Sequence, residues 1–421
     1  VRIHRTIITT ASLMAALALA ASGAGPVVAD PPISDCDILG TEGPDTLVGT
    51  DAPEVICGLG GDDTIHAGYG DVVYAGDGDD TVFVEGIAPD HAYLSQNQAH
   101  VEGAAGDDRL FGGPGVDYLD GGDGSDELHG GDGRDFLGGG PGNDRLYGGD
   151  GKDRLFGDDG HDVLVGGPAG DLLGGDLGDD SLYGSGGNDL LFGGTGDDRL
   201  YGGSGADKLL GELGADELRG DGGDDYLHGG PGNDLLFGDG WGGTEPGGPR
   251  RGDPVGDDRL RGGPGDDRLS GGWGYDLLFG DDGDDRLDGG GTRDLLDGGP
   301  GADLLRGWGG PDRLLGGPGD DVLLGSRGDD QLNGGGGADR LNGGNGDDRL
   351  AGGAGNDALD GSWGADRLVG GAGIDTLKGK RGSDLLLARD GLRDFLDGGP
   401  GRDTGAWDRG LDRVTSVETR R

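Results

Sequence analysis

The sequence predicts an all-β fold, a parallel β-solenoid in which two nine-residue units make each 18-residue coil. Three observations carry that expectation. Glycine supplies 109 of the 421 residues, while hydrophobic residues reach only 32% and aromatics 5%, too little for a conventional core. Aspartate recurs every nine residues without a slip from Asp108 to Asp234 and again from Asp258 to Asp384, two runs of 15 units each. In all 30 units the residue two places after the aspartate is leucine, and in 28 the residue two places before it is glycine, Ala169 and Thr292 being the exceptions. So regular a period specifies a repeat architecture. Collagen, the other glycine-rich repeat, needs a period of three and is excluded.

Within one unit, such as "GGPGDDRLS" at 262–270, six residues rich in Gly and Asp make a turn and three are extended. Only the middle side chain of a three-residue strand points to a given face, so the leucine turns inward. Two units then give strand, turn, strand, turn, and leucines from two opposed sheets meet in a thin core. One leucine per unit does not offset the entropy lost in ordering the other residues, and disorder is the bland alternative for so charged a chain. Stacking also sets aspartates 18 residues apart, such as Asp267 and Asp285, on neighbouring coils, where like charges repel.

Cations answer both difficulties. The formal net charge is −49, from 82 acidic against 33 basic residues, which argues against nucleic acid or an anionic membrane as partner. Calcium takes ~6 to 8 oxygens in flexible geometry, and aspartates with glycine-turn carbonyls can supply them. Magnesium demands a stricter octahedron, and zinc prefers nitrogen or sulfur ligands. With one ion between each unit and the next but one, the two runs offer ~26 sites carrying roughly +52. The acidity then reads as a ligand inventory.

The elements follow in order. Residues 1–29 read as a secretory signal peptide: Arg2 and Arg5 precede the apolar run Ile7 to Ala21, which is too short to span a membrane, and small residues stand before Asp30. No other stretch could cross one. Residues 30–85 form an N-terminal block whose units place Asp45, Glu54 and Asp63 nine apart, followed by Asp71 and Asp80. Cys36 occupies the carboxylate position nine before Asp45. With Cys57 it is expected to form one disulfide, in an oxidising compartment, that staples the terminal coil; free thiols or a metal pair are the alternative, without CxxC spacing to support them. Residues 86–102 are an insertion, 103–237 the first array, 238–256 a Gly/Pro-rich loop, 257–386 the second array, and 387–421 irregular repeats and a cap. Whether the two arrays form one continuous roll is open at this level.

The pattern GGxGxDxUx resembles the repeats-in-toxin (RTX), or haemolysin-type, calcium-binding nonapeptide. The resemblance covers nearly all of Asp45 to Asp412. It implies a parallel β-roll in which sixth-position aspartates and turn carbonyls bind many calcium ions. In the N-terminal block these are Asp45, Asp63 and Asp80. In the first array they are Asp108, Asp117, Asp126, Asp135, Asp144, Asp153, Asp162, Asp171, Asp180, Asp189, Asp198, Asp207, Asp216, Asp225 and Asp234. In the second they are Asp258, Asp267, Asp276, Asp285, Asp294, Asp303, Asp312, Asp321, Asp330, Asp339, Asp348, Asp357, Asp366, Asp375 and Asp384. Glu54 departs from the pattern, and Cys36 cannot donate a carboxylate. Family members often leave the cell through a one-step exporter that reads a C-terminal signal, whereas the N-terminal signal here implies the general secretory route. The opening "CDILGTEGPDTLVGTDAPEVICGLGGDDTI" looks like the start of secreted bacterial calcium-binding proteins built only of such repeats.

An enzyme would need a catalytic constellation. No HExxH or GxSxG is present, and the many GxGxxG strings are expected from the glycine content alone. Paired acids such as Asp266 and Asp267 mimic glycosidase carboxylates, but dozens of such pairs fit ion binding better. The expected function is therefore a secreted, non-enzymatic protein that folds on binding calcium, with a calcium-dependent surface adhesin or matrix protein as the alternative and the repeat part of an enzyme behind it. RGD occurs at Arg219–Asp221, Arg251–Asp253 and Arg327–Asp329, where composition accounts for it, and only the copy in the 238–256 loop, which could project from the roll, is a minor adhesion candidate. Ninth-position aromatics, among them Phe111, Tyr147, Phe156, Tyr201 and Phe279, are expected on the outer sheet faces, where a row of them could bind carbohydrate. Arg268 and Arg286 face outward and offset neighbouring acids, and His91 and His100 in the insertion are a minor metal candidate.

Overall fold

The computed structural model describes residues 33–50, 52–68, 70–84, 99–239 and 256–420, so the expected leader, His91 and the RGD at 251–253 lie outside the described residues. Among the described residues, 41 strands alternate between two all-parallel sheets, 21 in one and 20 in the other. Each strand pairs with the next but one along the chain. In the first sheet Tyr118–Asp123 lies between His100–Ala105 and Phe136–Gly138; in the second, Glu127–Gly133 lies between Arg109–Gly115 and Arg145–Gly151. The register is 18 residues, with Leu128 opposite both Leu110 and Leu146. Among the described residues there is no α-helix, only the short 3-10 turn Ile33–Asp35.

Most strands are longer than the sequence predicts. Arg199–Ser204 is typical: six residues that run through positions seven to nine of one unit and one to three of the next. The ladder continues because the bend falls at position two, where Gly203 takes a left-handed φ of +102°. Two side chains per strand therefore face inward, at positions eight and one. The first is the leucine, and every leucine from Leu110 to Leu236 and from Leu260 to Leu396 at this position is at most 2% exposed. The second is usually glycine. That choice positions the site described below.

The breaks in the repeat leave the stack intact. Across the 238–256 loop, of which 240–255 lie outside the described residues, Tyr226–His228 pairs directly with Arg259–Arg261, and Leu235–Asp239 with Arg268–Gly272. The two arrays are one continuous roll. Residues 99–102, which the sequence assigns to the insertion, also belong to it: His100–Ala105 pairs with Val72–Asp77 and Tyr118–Asp123, with Val101 inward and Ala99 in the aspartate's place. Valine for leucine and alanine for aspartate hid this coil. His100 bonds Glu102 at 3.0 Å and stacks on Tyr118. Cys36 and Cys57 form the expected disulfide between adjacent coils.

Candidate metal centre

The sixth-position aspartates are buried, not displayed. Thirty-five of them, from Asp63 to Asp403, are at most 4% exposed. Asp71, Asp394 and Asp403 join the expected set; they sit beside one-residue slips in the frame, and the inward Val73 and Leu396 two places on mark the first two. Asp45 is only half-buried.

The two oxygens of each carboxylate have different fates. Oδ1 accepts the backbone N–H of the aspartate one coil earlier: Asp108 N donates to Asp126 Oδ1 at 2.8 Å, and Asp267 N to Asp285 Oδ1 at 2.8 Å. The ladder bridges the long loop, where Asp225 N donates to Asp258 Oδ1 at 2.8 Å. Asp258 aside, Oδ2 has no hydrogen-bond partner in 33 of these buried aspartates. Native proteins leave few buried polar atoms unpaired, and a row of this length calls for a ligand.

The inward glycine makes the space into which Oδ2 projects. A Cβ built on Gly103 would lie 2.3 Å from Asp108 Oδ2 and 2.4 Å from the carbonyl oxygen of Gly121, one coil on. On Gly262 it would lie 2.1 Å from Asp267 Oδ2. Glycine at position one is thus required by the carboxylate five residues later. Only oxygens, the carboxylate and the glycine carbonyls, converge there. No three His, Cys, Asp or Glu side chains gather among the described residues, so a cation at these turns would draw its remaining ligands from the backbone. Hard oxygen donors in a pliable turn suit calcium.

Electrostatics agree. Burial, then the neighbouring Asp126 and Asp80 carboxylates, push Asp108 up to about 8 against the pull of its backbone hydrogen bond. Asp267 rises to about 8 and Asp294 to about 9, burial leading in both. A row of buried carboxyls in this state either holds protons or faces compensating positive charge.

A second ladder was missed at the sequence level. Where position five is Asp or Asn, its side chain accepts the N–H of position five in the following coil, as Ala215 N to Asp197 Oδ1 at 2.9 Å and Asp347 N to Asp329 Oδ1 at 2.9 Å. The position-six bonds run the opposite way, so each coil grips both neighbours. Asp266, first of the acid pair, serves here by accepting from Asp284 N.

The terminal units differ. Asp45 Oδ2 accepts from Thr41 N at 2.6 Å and Thr41 Oγ1 at 2.8 Å; Glu54 accepts from Thr50 N at 2.7 Å and Thr50 Oγ1 at 3.0 Å. Asp71 Oδ2 accepts from Gly68 N at 2.7 Å, and at the other end Asp412 Oδ2 accepts from Asp408 N at 2.6 Å.

The model of the RTX calcium-binding nonapeptide repeat (4 copies) matches residues 39–70, 58–86, 102–137, 138–173, 174–209, 210–240, 255–278, 279–314, 315–350, 342–377 and 369–404. The gaps between matches fall at the two breaks in the nine-residue frame. No curated protein matches the chain.

Proposed function

The chain belongs to the RTX calcium-binding nonapeptide-repeat family, and from that premise we propose that it is a secreted, non-enzymatic roll whose arrays fold on binding calcium through Asp108 to Asp234 and Asp258 to Asp384. The row of buried, unpartnered Oδ2 atoms carries this reading. Calcium supplies the positive charge that lets adjacent coils bring their carboxylates together. The chain's part is to hold each Oδ1 on a backbone N–H, aim Oδ2 into the space kept open by glycine, and present carbonyls beside it. Site and coil exist only when neighbours stack, so binding and folding are one event. Asp63, with an unpartnered Oδ2 and Gly58 five residues before it, fits this role; Asp80 has Ala75 in the glycine's place, and Asp45, bonded to Thr41, would have to give up that partner. Arg2, Arg5 and the apolar run after them, together with the Cys36–Cys57 disulfide, support export.

The test is a calcium titration of the chain from Asp30, followed by far-ultraviolet circular dichroism with magnesium as control. A cooperative gain of β-structure at ~0.1 to 1 mM calcium, the range of extracellular modules, is expected. A spectrum that calcium leaves unchanged sinks the reading.

One surface favours an adhesin or matrix role as a second reading. Four adjacent strands of the first sheet, Arg313–Pro318, Gln331–Gly336, Arg349–Ala354 and Arg367–Ala372, contain no acid in a chain of net charge −49. Their arginines line a shallow trough of about 240 Å³ floored by Asn333 and Ala351. Such a trough fits a linear acidic polysaccharide. Calcium-dependent retention on dextran sulfate but not dextran, lost in Arg313→Ala/Arg349→Ala/Arg367→Ala, is the expected outcome; retention equal on both polymers rejects it.

A further inference from the structure

We infer that the N-terminal block, residues 33–84 with the coil at 99–105, folds without calcium and is the template onto which the calcium-dependent coils add. The inference rests on the calcium reading of the arrays and concerns what that reading leaves open, namely how the first coil forms. A solenoid coil has no stable place until a neighbour exists, so the earliest coil must be stabilised by something other than its repeat contacts.

Three features of this block supply that stabilisation. The first is chemical satisfaction. The carboxylates of Asp45, Glu54 and Asp71 accept hydrogen bonds from Thr41, Thr50 and Gly68, the second oxygen included, so these three turns need no cation to be complete, and Asp63 and Asp80 are the block's two buried carboxylates with an unpartnered Oδ2. In the array, Asp258 aside, the same oxygen is unpartnered. The second is core thickness. Thr64–Ala67 buries Ile65 and Ala67, Val72–Asp77 buries Val73 and Ala75, and Thr81–Val84 buries Val82 and Val84. Each of these strands fills both inward positions with side chains, whereas an array strand such as Arg199–Ser204 buries Leu200 beside a glycine. The glycine there is the space required by an aspartate Oδ2; alanine or valine in its place exchanges ion-binding room for apolar burial. The third is covalent. The Cys36–Cys57 disulfide, 21 residues apart in sequence, ties the first coil to the second and removes much of the freedom the open chain would otherwise lose.

The opposite end has less of each. Asp412 is satisfied by Asp408 N, and Glu418 accepts from Asp403 N at 2.5 Å; Asp394 and Asp403 keep unpartnered Oδ2 atoms, as Asp63 and Asp80 do in the N-terminal block, Ala388 and its partner Trp407 are the extra inward side chains, and no disulfide ties the last coils. Order therefore grows from the N-terminal edge, where Thr81–Val84 and His100–Ala105 offer ready ladders to Arg109–Gly115 and Tyr118–Asp123.

The experiment is hydrogen exchange with mass spectrometry on the exported full chain, oxidised, in EDTA and then at rising calcium. In EDTA, amides of Val55–Gly60, Val72–Asp77 and Thr81–Val84 should exchange at least ~100-fold more slowly than those of array strands such as Leu190–Thr195 or Arg340–Asn345, reflecting a separate cooperative unit. Calcium should then protect the first array at lower concentration than the second. Uniform exchange along the chain in EDTA, or calcium-driven protection that starts at the C-terminal end, overturns the inference. Array strands that stay open at all calcium concentrations would instead overturn the calcium reading, while the EDTA result still judges the block. As a second arm, Cys36→Ser/Cys57→Ser/Thr41→Val/Thr50→Val should raise the calcium midpoint of the arrays several-fold, and Asp412→Asn should not; equal midpoints in both variants count against a template at this end.

Discussion

At the scale of single residues, the unit is a contest for one small volume between a carboxylate oxygen and a Cβ. Gly262→Ala places that Cβ 2.1 Å from Asp267 Oδ2; the carboxylate must move, and the calcium midpoint should rise. Gly138→Ala is the control, because a Cβ there meets nothing within 4 Å; it should leave the midpoint unchanged and stabilise slightly, by about 0.4 to 1 kcal/mol through the unfolded chain. Equal effects of the two in a titration would show that the glycine's role is not to clear the carboxylate. Asp267→Asn keeps an acceptor for Asp234 N, whereas Asp267→Ala strands that buried N–H at a cost of about 1 to 3 kcal/mol. The pH dependence has a definite sign. Folded-state values are raised, to about 6 for Asp80, about 8 for Asp267 and about 9 for Asp294, by burial above all. Such a group contributes stability below its unfolded pKa, ~3.9, and loses it as pH rises through the folded value. Without calcium, β-structure should therefore be greater at pH ~5 than at pH ~8, and calcium added near neutrality should release protons. Circular dichroism in EDTA and a pH-stat titration check the two halves; more β-structure at the alkaline end without calcium would contradict the sign.

At the scale of strands and turns, what the sequence exposed was the part that repeats without exception. Asp at six and Leu at eight were legible because every array unit has them, and each has one job, Oδ1 on a neighbour's N–H or a side chain in the core. The position-five ladder was not legible, since Ala215, Ala302 and Tyr275 stand in the same place as Asp197, Asp284 and Asp257 and only donate. Strand length was misjudged for a related reason: six-residue strands pass through glycines, which ordinarily end strands, and here the left-handed bend at position two keeps the ladder intact. The outer aromatics form stacked columns. Phe83, Phe111, His129 and Tyr147 follow one another at centroid distances of 5.1, 4.8 and 4.7 Å. Their faces are turned to each other, which leaves edges rather than faces for a sugar. Phe111→Ala removes two contacts at once and should cost about 1 to 3 kcal/mol in a calcium-saturated melt, at about 0.5 to 1.5 kcal/mol per pair, with no change in carbohydrate retention. A melt unaltered by the substitution would mean the column is incidental.

At the scale of the whole molecule, the two sheets are not equivalent although their units are. Both sheets carry an aromatic column, His100 to Phe156 on the first and Phe83 to Tyr147 with Tyr183 and Tyr201 on the second, but the arginine trough lies on the first sheet alone. A unit's identity thus includes the face on which it falls, and that is decided by whether an even or odd number of units precedes it. Deleting 190–207 removes a whole coil, puts Lys208 where Leu190 paired with Leu172, and keeps every later unit on its own face. Deleting 190–198 removes half as much chain but moves all later units to the other sheet; it sets Leu210 beside Tyr183, whereas the 18-residue deletion, which removes Tyr201, sets Arg219 there. In a stack held by nearest-neighbour contacts, the larger deletion should be the milder one. The 18-residue variant should bind two fewer ions and melt close to the parent. The nine-residue variant should bind one fewer and melt lower. Calcium stoichiometry with thermal unfolding distinguishes these; a nine-residue deletion as stable as the 18-residue one would mean that neither outer face contributes to holding the roll together.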